Sequence, residues 1–155
     1  MTDYNALIAQ ARALISGVPH LTANLANLSA LIFGAMDGLN WAGFYLLHVD
    51  TLVLGPFQGK PACIEIPVGR GVCGTAVSEG RPQLVRDVRE FPGHIACDSA
   101  SASELVVPIT VSGRCVGVLD LDSPTVGRFT SKDEIGCVAL VRAIEREIGD
   151  LLVRG

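Results

Sequence analysis

From Leu105 to Asp122 the chain reads as a hairpin. Leu105 to Val111 and Arg114 to Asp122 are two runs rich in apolar, β-branched residues. Ser112-Gly113 between them is the turn chemistry that joins antiparallel neighbours. The second run continues Val116-Gly-Val-Leu-Asp-Leu-Asp122. On a strand, Leu119 and Leu121 therefore share one face, and Asp120 and Asp122 share the other, roughly 7 Å apart at the Cα atoms. Such a strand must bury one face under a second layer and leave the other for something polar.

The flanking sequence supplies that layer. Leu7, Ile8, Ala11, Leu14 and Ile15 recur at helical spacing after Thr2, a candidate cap, and Gly17 and Pro19 end the segment. Leu21, Leu25, Leu28, Ile32 and Met36 mark a second one-sided helix that stops at Asp37-Gly38. At the far end, Thr130, Ser131, Asp133 and Glu134 offer a strong N-cap. The helix that follows carries Ile135, Val138, Val141, Ile144, Ile148 and Leu151. Between these ends lies a strand from Trp41 to Val49, with Trp41, Gly43 and Tyr45 on one face and Ala42, Phe44 and Leu46 on the other. A turn at Asp50-Thr51 leads to a strand over Leu52 to Phe57, and Gln58-Gly-Lys-Pro61 breaks it. Cys63 to Ile66 reads as a short strand. Gly69-Arg-Gly71 opens a short helix that carries Cys73 and closes at Gly80; the glycines fit a tight turn better than either phosphate-loop pattern. Gln83 to Val85 is a short strand and Asp87 a turn. The order predicts an α+β fold, an antiparallel sheet with helices packed on one face.

At 155 residues the chain makes one domain with room for a real core. Hydrophobic residues at 49% exclude disorder. The apolar runs are too short to span a bilayer, so no membrane partner is expected. No basic-then-apolar leader opens the sequence, which points to a cytoplasmic protein. A net charge of −4 without a basic cluster argues against nucleic acid.

Five cysteines without an export signal suggest catalytic, redox or metal roles rather than a fixed disulfide framework. Cys115 and Cys137 lie in apolar periodic segments and read as core. Cys63, Cys73 and Cys97 remain. Cys97 sits in Glu90 to Glu104, a polar loop opened by Phe-Pro-Gly, with His94 three residues before it and Asp98 beside it. A thiol on such a loop is within reach of a soluble partner. Asp120 and Asp122 would repel one another and raise one pKa, which lets a carboxyl hold a proton. Glu104 can join them only if the hairpin is irregular. A plain two-residue turn sets it opposite Leu121, on the apolar face, and a bulge at Pro108 would shift it. Trp41 and Tyr45 are either core or the wall of a small pocket.

Asn40-Trp-Ala-Gly-Phe-Tyr45, Leu54-Gly-Pro-Phe-Gln-Gly-Lys-Pro-Ala-Cys63, Gly69-Arg-Gly-Val-Cys-Gly-Thr75, Phe91-Pro-Gly-His-Ile-Ala-Cys-Asp98 and Gly117-Val-Leu-Asp-Leu-Asp-Ser123 together resemble the free methionine-(R)-sulfoxide reductases, which are single GAF domains. The resemblance covers nearly the whole chain and implies one GAF domain over residues 1–155. It implies a sheet with the terminal helices on one face and the active-site loops on the other. It implies that Cys97 attacks the sulfoxide sulfur and becomes a sulfenic acid. Cys63 then resolves it as a disulfide, with Cys73 as the alternative partner, and thioredoxin reduces that disulfide. Glu104, Asp120 and Asp122 would line the pocket, one giving a proton to the oxygen and the others taking the substrate ammonium. Trp41 and Tyr45 would pack against the substrate side chain. No metal or organic cofactor is implied, and a homodimer through the terminal helices is the expectation by analogy. Three other readings compete: a GAF sensor that only binds a small molecule, a zinc site from Cys63, Cys73, Cys97 and His94, and a cysteine hydrolase built on Cys97 and His94.

Overall fold

The structure, a computed structural model, describes every residue except 96, 98 and 99. The elements in order are α1 (Tyr4–Ile15), α2 (Leu21–Ala35), β1 (Trp41–His48), β2 (Thr51–Gly59), β3 (Glu65–Pro67), α3 (Gly71–Glu79), β4 (Gln83–Val85), a 3₁₀ turn (Val88–Glu90), β5 (Ser103–Val111), β6 (Arg114–Ser123) and α4 (Ser131–Arg154). Among the described residues the strands form one sheet in the order β3-β2-β1-β6-β5-β4, with every pair antiparallel. The expected α+β architecture is the one observed.

Two cores lie on opposite faces of this sheet. On one face Ala42, Phe44, Leu105, Val107, Ile109, Leu119 and Leu121 meet the buried stripes of α1, α2 and α4. On the other, Trp41, Tyr45, Val106 and Val118 meet Val72, Cys73 and Ala76 of α3 and the apolar residues of the loops. The strand alternation read from the sequence is thus what separates the helix layer from the loop layer.

Several local expectations change. Asp3, not Thr2, caps α1, its side chain accepting from the Ala6 N–H at 3.0 Å. Ile135 is 70% exposed; the buried stripe of α4 runs instead through Cys137, Leu140, Val141, Ile144, Ile148 and Leu152. Ile135 stands about 200° around the helix from Asp133 and Cys137, which face inward. On that inward face a Cβ at Gly136 would stand 2.3 Å from Cγ of Tyr4, whose hydroxyl donates to Asp133 Oδ1 at 2.7 Å. The Thr130–Asp133 capping box forms as read. Cys137 is buried as expected, while Cys115, near the hairpin turn, is only half-buried. Cys63 lies outside a strand, since β3 begins at Glu65.

The β5–β6 hairpin carries the irregularity that matters most. Thr110 pairs with Cys115, but Ile109 pairs with Gly117, so Val116 is the extra residue of a bulge. Pro108, where the sequence placed it, stays in register opposite Val118. At the bulge the Thr110 N–H donates to Glu145 Oε2 of α4 at 2.7 Å. Beyond it Glu104 faces Asp122 and Val106 faces Asp120. The shift of one residue moves Glu104 from the helix side to the open side of the sheet.

A candidate active site on the open face of the sheet

β1 pairs Trp41 with Asp122 and Gly43 with Asp120. With the β5 register this makes a row across three central strands, Trp41–Asp122–Glu104, and a second row, Gly43–Asp120–Val106. The bare Gly43 is a steric requirement: a Cβ there would lie 2.3 Å from Cβ and 2.8 Å from Cα of Phe57. Phe57 uses that closeness to stack on Trp41, ring centroids 5.1 Å apart, and Tyr45 also stacks with Trp41 at 6.0 Å. α3 and the loop before β5 form the opposite wall, so a pocket opens between sheet and loop. Trp41, Tyr45, Cys73, Glu104, Asp120 and Asp122 all line it, and so do His94 and Cys97.

Three carboxylates in so small and buried a space alter one another. Glu104 is 7% and Asp120 5% exposed. Burial, then the charges of Asp120 and Asp122, push the Glu104 pKa well above its ordinary value. Burial also raises Asp120, partly offset by hydrogen bonds with Glu104 and Cys73. Among the described residues, Asp120 Oδ1 is buried without a hydrogen-bond partner. Native proteins rarely strand a buried acceptor in this way unless a ligand or water completes it. The pocket therefore pairs a carboxyl whose pKa is raised toward holding a proton with an acceptor that can take a cationic N–H.

The thiols divide by environment. Cys63 and Cys97 are joined as a disulfide, Cα atoms 5.3 Å apart. The linkage spans 34 residues of chain and borders the pocket through Cys97. Cys73, which the sequence left outside the core, belongs to it. It is 3% exposed, inside the second core, with its thiol donating to Glu104 Oε2 at 3.9 Å. Burial, then the neighbouring carboxylates, push its pKa well up, so it stays a thiol. Burial lowers the pKa of His94. Asp98 lies outside the described residues.

The disulfide takes two thiolates away from the zinc set of Cys63, Cys73, Cys97 and His94. Ligand atoms of Cys73, Glu104 and Asp120 do lie within 4.8 Å of one another, a grouping the sequence did not suggest. Sequence reasoning also missed Ile66, Val72 and Ile95, which line the pocket. An isoleucine inside the polar loop was the available signal for Ile95.

A curled antiparallel sheet with terminal helices behind it and a loop-covered pocket in front defines a GAF domain, and the GAF domain family model matches residues 15–148. The chain is 55% identical over 144 residues to the free methionine-R-sulfoxide reductase of Escherichia coli, covering 93% of this chain and 83% of that protein. It is 48% identical over 148 residues to the Saccharomyces cerevisiae protein of the same name, covering 90% and 82%. The structure of the Staphylococcus aureus fRMsr in its reduced form superposes with a TM-score of 0.92 at 51% identity, covering 96% of each chain. This chain belongs to the free methionine-R-sulfoxide reductase family.

Proposed function

We propose that this chain, as one GAF domain over residues 1–155, reduces free L-methionine (R)-S-oxide to L-methionine in the cytoplasm. The observation that carries the reading is a disulfide between Cys63 and Cys97 beside a pocket that holds three carboxylates and a buried acceptor without a partner. A pure binding module needs neither the paired thiols nor a protonated carboxyl.

The chemistry runs in three steps. The Cys97 thiolate attacks the sulfoxide sulfur, and a protonated carboxyl, Glu104 or Asp120, gives its proton to the sulfoxide oxygen. The substrate's S–O bond breaks, the oxygen passes to Cys97 as a sulfenic acid, and the thioether leaves as methionine. The Cys63 thiol then attacks the Cys97 sulfur, forming the disulfide and releasing the oxygen as water. The two thiols supply the two electrons, so the cycle calls on no metal or organic cofactor. A dithiol reductant of the thioredoxin type attacks the disulfide, passes through a mixed disulfide and restores both thiols.

The carboxylates that do not give this proton bind the substrate's ammonium, and where Glu104 is the acid Asp120 Oδ1 is the first acceptor. That ion pair selects a free amino acid, because a peptide-bound residue has no ammonium to offer. Trp41 and Tyr45 pack on the substrate's aliphatic side chain. Cys73, buried and held as a thiol, is the slower resolving partner. The test is NADPH oxidation with thioredoxin, thioredoxin reductase and each sulfoxide epimer separately. Turnover of the free R epimer alone supports the reading. Equal turnover of both epimers, or none of either, contradicts it.

A further inference from the structure

Cys63 sits in a segment without regular structure, between the end of β2 and the start of β3. Its sequence, Gly-Lys-Pro-Ala-Cys, suggests freedom. The structure instead ties it to the sheet at three points. The Trp41 indole Nε1–H donates to the Lys60 carbonyl at 3.1 Å. The Tyr45 hydroxyl donates to the carbonyl of Cys63 itself at 2.8 Å. The Leu54 N–H donates to the Ile64 carbonyl at 2.9 Å. Both aromatic donors stand on β1, an inner strand flanked by β2 and β6, and each is only 2% exposed. Trp41 also stacks with both Phe57 and Tyr45. Burial first, then the nearby Asp120 charge, raises the Tyr45 pKa, so its hydroxyl remains a donor.

We propose that Tyr45, assisted by Trp41, is a positioning residue for the redox step: it holds the Cys63 backbone where the thiol can close onto Cys97. The inference rests on the proposed thiol cycle but reaches beyond it, since the two rings acquire a role apart from packing on the substrate. In the oxidised chain the S–S bond itself fixes Cys63. In the reduced chain that constraint is gone and the backbone anchors carry more of the load. Removing an anchor therefore loosens the reduced state more than the oxidised one, and lowers the effective concentration of the Cys63 thiol at Cys97. The net worth of a neutral hydrogen bond sets the size of the effect, about a two- to ten-fold fall in the equilibrium constant for closing the disulfide.

The test needs no sulfoxide substrate, so it stands apart from the proposed activity. Wild type and Tyr45→Phe are equilibrated in glutathione redox buffers, and the Cys63–Cys97 linkage is quantified after alkylation by mass spectrometry. In parallel the reduced proteins are oxidised with hydrogen peroxide in the presence of dimedone, which traps sulfenic acid on Cys97. Tyr45→Phe is expected to lower the closing constant by the stated factor and to raise the dimedone adduct. Trp41→Phe, which keeps an aromatic ring but loses the indole donor, should shift both in the same direction and serves if Tyr45→Phe does not fold. Tyr4→Phe is the control. It deletes a part-buried tyrosine hydroxyl hydrogen bond, to Asp133 on the opposite side of the sheet, and is expected to leave the closing constant unchanged. Unchanged constants in Tyr45→Phe and Trp41→Phe overturn the proposal. So does an equal shift in Tyr4→Phe, which would make the effect one of general stability.

Discussion

Glu104→Gln should stabilise the substrate-free protein at high pH while weakening its activity. Glu104 lies opposite Asp122, is 7% exposed, and has the Cys73 thiol 3.9 Å from its Oε2. Burial and the two aspartates raise its pKa well above the unfolded value of about 4.3. A raised pKa means that the folded chain holds this proton more tightly than the unfolded chain. The stability it contributes is complete below the unfolded value and is lost as pH rises through the folded one. Glutamine does not titrate, and its amide offers a donor to Asp120 and Asp122. At pH 5 the variant should differ little from wild type. Above the folded pKa it should gain about 1–3 kcal/mol, the usual cost of a buried polar group without its partner. For a chain of this length that is a rise in Tm of roughly 2–12 °C. Thermal unfolding from pH 5 to 9, with the disulfide intact and no substrate, measures it. A gap between variant and wild type that does not widen in the variant's favour as pH rises would refute a Glu104 strained by burial and like charge.

Cys97→Ser should abolish sulfoxide reduction with the far-ultraviolet circular dichroism unchanged; near-normal turnover would assign the attack to another thiol. N-acetylation of the substrate removes the ammonium and leaves buried carboxylates unpaired, which costs a few kcal/mol. The kcat/KM for the acetylated sulfoxide should therefore fall by about a hundred-fold or more, and comparable values for the two substrates would show that the pocket does not select a free amino acid. Cys63→Ser should still reduce one sulfoxide per chain but cycle slowly with thioredoxin; undiminished cycling would make Cys73 the resolving thiol.

Much of the fold was legible because it follows from periodicity. Leu7, Ala11 and Ile15 of α1, the stripe of α2, the Thr130 capping box and the alternation Leu119-Asp120-Leu121-Asp122 each encode their own burial, whereas Leu14, read into the α1 stripe, is 38% exposed. The site was harder because its geometry is set by distant residues. The bulge falls at Val116, where the Thr110 N–H is taken up by Glu145, a residue of another element. No local rule favours that position over Pro108, yet it decides which face Glu104 occupies. Cys73 read as a thiol outside the core because a short glycine-flanked helix does not announce which layer it packs against; it packs into the second core and is buried. Cys63 looked mobile because its segment is rich in breakers, whereas the side chains that tie it down stand on β1, some twenty residues earlier. The family resemblance named the residues; only the assembled sheet explains why Trp41, Asp122 and Glu104 form one row.

The most direct measurement is a single turnover. Fully reduced protein is mixed with excess free L-methionine (R)-S-oxide and no reductant, and both methionine and protein thiols are counted. The account predicts one methionine per chain, two thiols lost, and a Cys63–Cys97 linkage in the peptide map. Methionine formed without loss of thiols, or thiols lost without Cys97 in the linkage, would contradict it.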